Sequence, residues 1–169
     1  MVVERDASGI YLWAVKVNDK YRITYVGETG ISFYQRTKEH IIQTLGGNYR
    51  ICDVAEMQRG NQKVLWNGLW RIGTRDKLPE FLSQYEELAP HIKAYLKAQA
   101  VFVAVTDCDP LLRKRIEGAI ALSLRSDDIA SSLLPADIRF RKRRSGETPL
   151  HVALRSKAEI EGLPGSIIA

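Results

Sequence analysis

Residues 9–27 read GIYLWAVKVNDKYRITYVG, and this stretch decides the fold. Residues 10–17 and 21–27 are both rich in β-branched and aromatic side chains, which favour strands. The three residues between them, Asn18-Asp19-Lys20, are typical of a short loop. The stretch therefore predicts a β-hairpin near the start of the chain.

The register of this hairpin decides where its tyrosines lie. If residues 18–20 form the loop, Val17 faces Tyr21 across the ladder. Tyr11 and Tyr25 are then diagonal neighbours on one face, roughly 7–8 Å apart at the backbone. Two phenols are therefore expected to converge on one spot of the sheet.

A helix is predicted directly after the hairpin. Ser32, followed three residues later by Gln35, has the form of a capping box, and Gly46-Gly47 is a typical stop. The helix then covers about 33–45. Its apolar side chains form one stripe, which we expect to be buried: Tyr34, Ile41, Ile42 and Leu45.

Two polar residues of this helix are candidates for a site. Arg36 and His40 lie four residues apart and therefore share one face. That face differs from the apolar stripe, so we expect both side chains to act outward and together. The alternative is an ordinary solvated face, because Lys38 and Glu39 already make the helix highly charged.

A second strand-helix unit follows a less regular segment. Residues 46–98 show no clean periodicity before a helical stretch at about 80–98, and we interpret them as an insertion that packs on the core. Residues 100–106 (AVFVAVT) form a continuous apolar run, which predicts a strand at the centre of the sheet. Asp109 as N-cap and Pro110 at the first helical position then begin another helix.

This last helix carries an acid close to its apolar side. Its predicted buried stripe consists of Leu112, Ile116, Ile120 and Leu124. Glu117 lies at the border of this stripe rather than on the solvent face. The alternative is a surface ion pair with Arg113, four residues earlier, which would contribute only ~0.3–0.5 kcal/mol.

Together these elements predict an α/β (α+β) fold. We expect a single domain over residues 1–169, in which about three strands form a mainly antiparallel sheet flanked by helices. Residues 46–98 are the insertion within it. Residues 126–169 form a basic C-terminal extension, with a short strand near 138–143 and a small helix over about 149–161.

The net charge of +5 is concentrated in one part of the chain. Residues 111–144 contain nine Lys or Arg against four acids, and the rest of the chain is neutral in sum. Such a concentration suits a polyanion such as nucleic acid, although a solvated basic segment is the alternative. The candidate nucleic-acid contacts are Arg139, Arg141, Lys142, Arg143 and Arg144.

Composition argues against several other classes. Hydrophobic residues at 45% and charged residues at 27% are typical of a globular protein, and no apolar run approaches the roughly 18 residues of a membrane span. The start, MVVERDASG, lacks the features of a signal peptide. Cys52 and Cys108 have neither metal-ligand nor disulfide spacing. A cytoplasmic protein without a membrane partner is expected, and its oligomeric state stays open.

Four features, in their order along the chain and in the elements that carry them, resemble the GIY-YIG nuclease family. They are Gly9-Ile10-Tyr11 on the first strand, Tyr25-Val26-Gly27 on the second, Arg36 and His40 on the next helix, and Glu117 on the helix after the third strand. The resemblance covers residues 9–45 and 100–124. It departs from the family in two places: YVG replaces YIG, and the family's asparagine beyond the glutamate is missing, with Asp137 in a comparable position.

The resemblance implies a divalent-metal-dependent endonuclease that hydrolyses phosphodiester bonds in nucleic acid, with DNA as the expected substrate. Glu117 would hold one Mg²⁺ or Mn²⁺ ion, and Arg36 would clamp the phosphate. Tyr11 would be the general base or position the water, its ionised form being favoured by the cation and Arg36. His40 would compete for that role or take the phenol's proton, and Tyr25 would orient the phosphate or the water.

Two other functions stay open. The missing asparagine is compatible with a non-catalytic nucleic-acid-binding module that keeps the fold, and the insertion is compatible with a protein-interaction domain. Trp66 and Trp70, four residues apart, are more often core residues than a base-stacking platform. His91 and His151 are interpreted as structural.

Overall fold

The computed structural model describes residues 6–70, 77–136 and 140–169. Its strands are β1 (Gly9–Val17), β2 (Lys20–Thr29), β3 (Ile51–Cys52), β4 (Val64–Trp66), β5 (Gln99–Val105), β6 (His151–Ala153) and β7 (Ser166–Ile168). Its helices are α1 (Phe33–Leu45), α2 (Val54–Gln58), α3 (Leu78–Ser83), α4 (Tyr85–Ala98), α5 (Pro110–Arg125) and α6 (Asp128–Ser131). The predicted mixed architecture of helices around a small antiparallel sheet is confirmed.

The main sheet has the strand order β2-β1-β5, and both pairings are antiparallel. The prediction that residues 100–106 form the central strand is wrong, because β5 lies at an edge. β1 is central instead, and eight of its nine side chains are buried, whereas those of β5 are half-buried or exposed. An apolar run therefore indicated a strand here but not its place in the sheet.

The hairpin has a two-residue loop and a bulge. Asn18 adopts a positive φ of 55°, and Val17 pairs with Lys20, so the predicted pairing of Val17 with Tyr21 is wrong. Further along, the register shifts, and Thr24 is the extra residue on β2. The shift brings Tyr25 opposite Trp13, which restores the register that a three-residue loop would have produced.

The two faces of the sheet bury different partners. Even-numbered residues of β1, such as Leu12, pack with Ile120 and its neighbours on α5 in the largest core cluster. Odd-numbered residues face the opposite layer, where Tyr11 and Trp13 pack with Phe33 of α1. The central strand is therefore enclosed on both sides, which explains its almost complete burial.

Helix α1 begins and ends as predicted but presents a different face to the sheet. The Ser32 hydroxyl accepts a hydrogen bond from the Gln35 amide, and Gly46 caps the C-terminus. The predicted buried stripe is wrong, because all of its members are exposed, by 37% to 66%: Tyr34, Ile41, Ile42 and Leu45. The buried residues of α1 are Phe33, His40 and Thr44.

The insertion forms its own layer of packing beside the odd face of the sheet. It contains the short ladder of β3 and β4 and helices α2, α3 and α4. Its core cluster consists of Ile51, Trp66, Phe81, Leu88 and Ile92. Trp66 is 3% exposed and donates its indole N–H to the Gly47 carbonyl at 2.7 Å, so it is a core residue, as expected.

The C-terminal extension packs back on the hairpin. β6 and β7 pair antiparallel, and the backbone of Tyr21 exchanges hydrogen bonds of 2.8 Å with Glu159 and Glu161. The predicted helix over 149–161 is wrong, since these strand pairings override the local helical pattern. Of the predicted strand near 138–143, residues 140–143 are irregular and residues 138 and 139 lie outside the described residues.

Within the described ranges, no helix is both long and apolar enough to cross a membrane.

Candidate active site

Tyr11 is the centre of a hydrogen-bonded cluster on the odd face of β1. Its hydroxyl lies 3.0 Å from His40 Nε2, and Arg36 Nε donates to the same oxygen at 3.0 Å. The ring of Tyr25 stacks on that of Tyr11, with 6.0 Å between centroids. The structure therefore brings together four of the five residues predicted for the site, and we call Tyr11, Tyr25, Arg36 and His40 the phenol cluster.

The direction of these hydrogen bonds follows from the chemistry of the partners. A guanidinium can only donate, so the Tyr11 oxygen must accept from Arg36. The phenolic hydrogen is then available for His40 Nε2, which accepts as the unprotonated nitrogen of a neutral imidazole. In this tautomer of His40, the Tyr11 proton is directed towards His40.

Burial controls the ionisation of the cluster. Burial and the neighbouring Tyr25 raise the pKa of Tyr11 above its ordinary value, although Arg36 opposes them. Burial also raises the pKa of Tyr25. Arg36 acts in the expected direction, but removal of the phenol from water outweighs its positive charge. The predicted effect of a bound cation on Tyr11 stays a prediction. Tyr11 is a neutral hydrogen-bonding group at neutral pH.

His40 is also neutral. Burial, with a further contribution from Arg36, lowers the pKa of His40 to about 4. The ring is enclosed by Tyr11, Trp13, Tyr25 and Tyr49, all with centroids between 5.3 and 5.6 Å from its own. This enclosure leaves the imidazole as an acceptor rather than a cation at neutral pH.

Two polar side chains of α1 point towards the sheet. Arg36 and His40 lie on the inner face of the helix, so the expectation that they act outward is wrong. The polar groups of this face have partners within the structure: Thr44 donates its hydroxyl to the His40 carbonyl at 2.8 Å, and Arg36 also bonds Glu39 at 3.1 Å. A polar inner face is stable only because these bonds are made.

Glu117 approaches the cluster from α5, at the outer edge of β2. It is half-buried, and its pKa is raised to about 7, first by burial and then by the charge of Glu28. The Glu28 amide and the charge of Arg36 act in the opposite direction, and the charge of Glu117 in turn raises the pKa of Tyr25. Glu117 is therefore within electrostatic range of the phenol cluster.

The alternative of an Arg113–Glu117 surface pair is wrong. Arg113 is buried and donates to the Glu28 carboxylate at 3.2 Å and to the Cys108 carbonyl at 3.0 Å. Glu117 therefore lies near the carboxylate of Glu28, which pairs with Arg113 and still raises the pKa of Glu117.

The donor set can accept a divalent ion. No group of three or more His, Cys, Asp or Glu suitable for a metal occurs among the described residues. Mg²⁺ is nevertheless bound by one or two carboxylates with several retained waters, and Glu117 with the nearby Glu28 has that character. A cation there would offset the negative charge that raises the pKa of Glu117.

Glu28 and Gly27 also belong to the candidate site, and sequence reasoning included only Gly27, as part of a motif. Glu28 follows Tyr25-Val26-Gly27 directly on β2, so its position one residue past the motif was the available signal. Gly27 faces Tyr11 across the ladder, and its missing side chain leaves the space that the phenol fills.

The basic segment is held in place by one acid. The Glu147 carboxylate accepts from Arg141 at 2.6 Å and from the Arg144 amide at 2.7 Å, while the Glu147 carbonyl accepts from Arg143 at 2.8 Å. Lys142, Arg143 and Arg144 are exposed. Arg139 lies outside the described residues.

The remaining candidates lie away from the cluster or outside the described residues. His91 on α4 and His151 on β6 are both exposed. Asp137 lies outside the described residues, so the predicted replacement of the missing asparagine stays a prediction. Trp70 is 61% exposed, in contrast to Trp66.

Comparison with models of known protein families, with curated proteins and with solved structures finds no match for this chain.

Proposed function

We propose that this chain is a divalent-metal-dependent endonuclease that hydrolyses phosphodiester bonds in DNA. The observation that carries the proposal is the hydrogen-bonded triplet of buried Tyr11 and His40 with half-buried Arg36, with the Glu117 carboxylate in electrostatic range of it. Phosphodiester hydrolysis needs a placed water, positive charge at the phosphoryl oxygens and an anionic ligand for a cation. This cluster supplies residues for all three.

Arg36 is the group that would bind the phosphate. Its side chain is 31% exposed, so the guanidinium reaches solvent while Nε is held by Tyr11 and Nη1 by Glu39. A planar guanidinium fixed in this way is suited to a phosphate oxygen, because its orientation is set before the substrate arrives.

Tyr11 and His40 would handle the proton of the attacking water. As the water oxygen forms its bond to phosphorus, a water proton passes to the Tyr11 oxygen while the phenolic proton moves to His40 Nε2. The phosphorus bond to the leaving oxygen breaks, and that oxygen takes a proton from solvent. The negative phosphate beside His40 favours the imidazolium that results.

Glu117 would hold the Mg²⁺ or Mn²⁺ ion, with Glu28 contributing further negative charge. When bound, such an ion withdraws charge from the phosphoryl oxygens. The exposed side chains of Lys142, Arg143 and Arg144 would follow the DNA backbone.

The test is nicking of supercoiled plasmid with Mg²⁺, with Mn²⁺ or with EDTA. We expect cleavage that depends on the metal and is lost in Glu117→Gln and Arg36→Ala. Lys38→Ala is the matched control, because Lys38 is an exposed cation on the same helix. Its cleavage should equal that of the original chain.

Two results would contradict the proposal. Cleavage by Glu117→Gln at the original rate would show that Glu117 is not the metal ligand. DNA binding without any metal-dependent cleavage would favour the non-catalytic binding module. Labelled duplex, single-stranded and branched substrates in the same assay identify the nucleic acid that is cut.

A further inference from the structure

A cavity adjoins the phenol cluster on the side of the insertion. Its volume is about 330 Å³, which is in the range of small-ligand pockets. Half of the twelve described residues that line it carry aromatic rings: Trp13, Tyr25, His40, Tyr49, Trp70 and Tyr95. We call this cavity the aromatic pocket.

The rings connect the phenol cluster to the surface. Tyr25 contacts His40, with 5.3 Å between centroids, and His40 contacts Tyr49, also at 5.3 Å. Tyr49 in turn meets Trp70 edge to face at 5.7 Å. Because Trp70 is 61% exposed, this aromatic series begins at the proposed reaction centre and ends at solvent.

Neutral polar side chains and one arginine complete the described wall of the pocket. Among the described residues that line it, Arg50 is basic and none is acidic. Trp13 is 8% exposed, and no described residue accepts a hydrogen bond from its indole N–H. The described wall therefore offers mainly flat aromatic faces, with neutral hydrogen-bonding groups between them.

We propose that the aromatic pocket binds an unstacked nucleobase of the substrate. Every nucleobase has an aromatic face for stacking and hydrogen-bonding atoms at its edge, and the phosphate attached to its sugar would lie towards Arg36 of the phenol cluster. The inference rests on the proposed function, because Tyr25 and His40 belong both to the pocket and to the phenol cluster. The base therefore belongs to a nucleotide beside the bond that is cut.

This placement selects the substrate class. A base in an intact duplex is stacked between its neighbours and cannot enter a pocket between two layers of the protein. The substrate must therefore be single-stranded, or contain an unpaired or extruded nucleotide, at the position next to the reacting phosphate.

The test measures binding in EDTA, so that turnover plays no part. Fluorescence anisotropy would be recorded with a labelled single-stranded oligothymidylate and with a labelled duplex hairpin of similar length. We expect tighter binding of the single strand. Trp70→Ala should weaken single-strand binding about tenfold, as expected for the loss of one base–aromatic stack, and leave duplex binding unchanged.

Matched variants separate stacking from other effects. Trp70→Phe should restore most of the affinity, since it keeps an aromatic face. Tyr34→Ala removes an exposed aromatic residue on the other side of α1 and should leave both affinities unchanged. Tyr49→Ala should weaken single-strand binding as Trp70→Ala does.

The inference and the proposed function fail in different ways. The base-pocket proposal is contradicted if Trp70→Ala binds the single strand as tightly as the original chain does, or if it binds the single strand and the duplex more weakly by the same factor. Either result counts against the pocket even where plasmid cleavage persists. If the chain never cleaves but loses single-strand affinity in Trp70→Ala, the pocket stands and the nuclease proposal falls.

Discussion

Gly27 lies against the phenol of Tyr11. The two residues are paired across the β1–β2 ladder, and a Cβ atom added at Gly27 would overlap the Tyr11 Cζ and hydroxyl as well as the ring of Tyr25. The position of both phenols therefore depends on the absence of a side chain at this one residue.

Gly27→Ala should displace Tyr11 and break its bonds to His40 and Arg36. We expect plasmid cleavage to fall at least about tenfold, because small displacements of reacting groups are costly. Gly165→Ala is the matched control, since a Cβ there meets nothing within 4 Å. Equal loss of activity in both variants would contradict the assigned role of Gly27.

Tyr11→Phe should reduce both cleavage and stability. The change removes the hydroxyl that bonds Arg36 and His40 but keeps the ring, so two partly buried polar groups lose a partner. We expect a loss of about 1–3 kcal/mol in the free energy of unfolding, measured by urea denaturation. Tyr21→Phe, in the same hairpin, should change neither property. A Tyr11→Phe variant that cleaves normally would rule out the proton path through this phenol.

Glu117→Gln should abolish cleavage and stabilise the fold above about pH 7. The pKa of Glu117 is raised to about 7 in the folded chain, so its stabilising contribution is present below its ordinary pKa of 4.5 and is lost as the pH rises through 7. After allowance for solvent screening, we expect the free energy of unfolding of Glu117→Gln to exceed that of the original chain by about 1–2 kcal/mol at alkaline pH. We expect no difference below pH 4.5.

The same ionisation predicts the pH dependence of the reaction. Because the carboxylate is the form that binds a cation, metal-dependent cleavage should rise as the pH increases through about 7. A rate that falls over this range would contradict Glu117 as the ligand. The stability of Glu117→Gln, followed by thermal unfolding, checks the ionisation independently of turnover.

His40 should make the fold sensitive to acid. Its pKa is lowered to about 4, so its contribution to stability is present above the ordinary value of 6.5 and is lost as the pH falls towards 4. This amounts to about 2–3 kcal/mol between the two pH values. His40→Gln should remove that dependence, whereas the exposed His91→Gln should retain it. Proton NMR that shows His40 titrating near pH 6.5 would contradict the assignment.

The exposed cations beside Glu147 should contribute to DNA affinity. Lys142→Ala and Arg144→Ala should each weaken binding across sequences and lower the slope of log affinity against log salt by about 1. Lys93→Ala, an exposed cation on α4, is the control. An equal effect of Lys93→Ala would mean that only the overall charge matters.

The hairpin and helices α1 and α5 were predictable because their signals are local. Strand-forming runs, the Ser32 and Asp109 caps and the Gly46-Gly47 stop each act within a few residues. The convergence of Tyr11 and Tyr25 was predicted for an incomplete reason, since the extra residue lies in a bulge at Thr24 rather than in the loop.

The orientation of α1 was not predictable from its own pattern. The apolar stripe of Tyr34, Ile41, Ile42 and Leu45 indicates burial, but the inner face carries Arg36, His40 and Thr44. Arg36 and His40 are stable inside because Tyr11 completes their hydrogen bonds, and Tyr11 comes from a distant part of the sequence. The path of residues 149–161 likewise depends on hydrogen bonds to the backbone of Tyr21. These bonds join residues far apart in sequence, so the local pattern does not predict them.

The bulge at Thr24 also affects how relatives of this chain are to be identified. Thr24 and Tyr25 both line the aromatic pocket although they are consecutive, because the bulge turns two neighbouring side chains to the same side of the ribbon. A homologue with one residue fewer here would keep Tyr25 opposite Trp13 in a regular ladder. The count of amino acids between the two tyrosines can therefore vary by one without moving either ring, and a search pattern with a fixed gap would overlook such proteins.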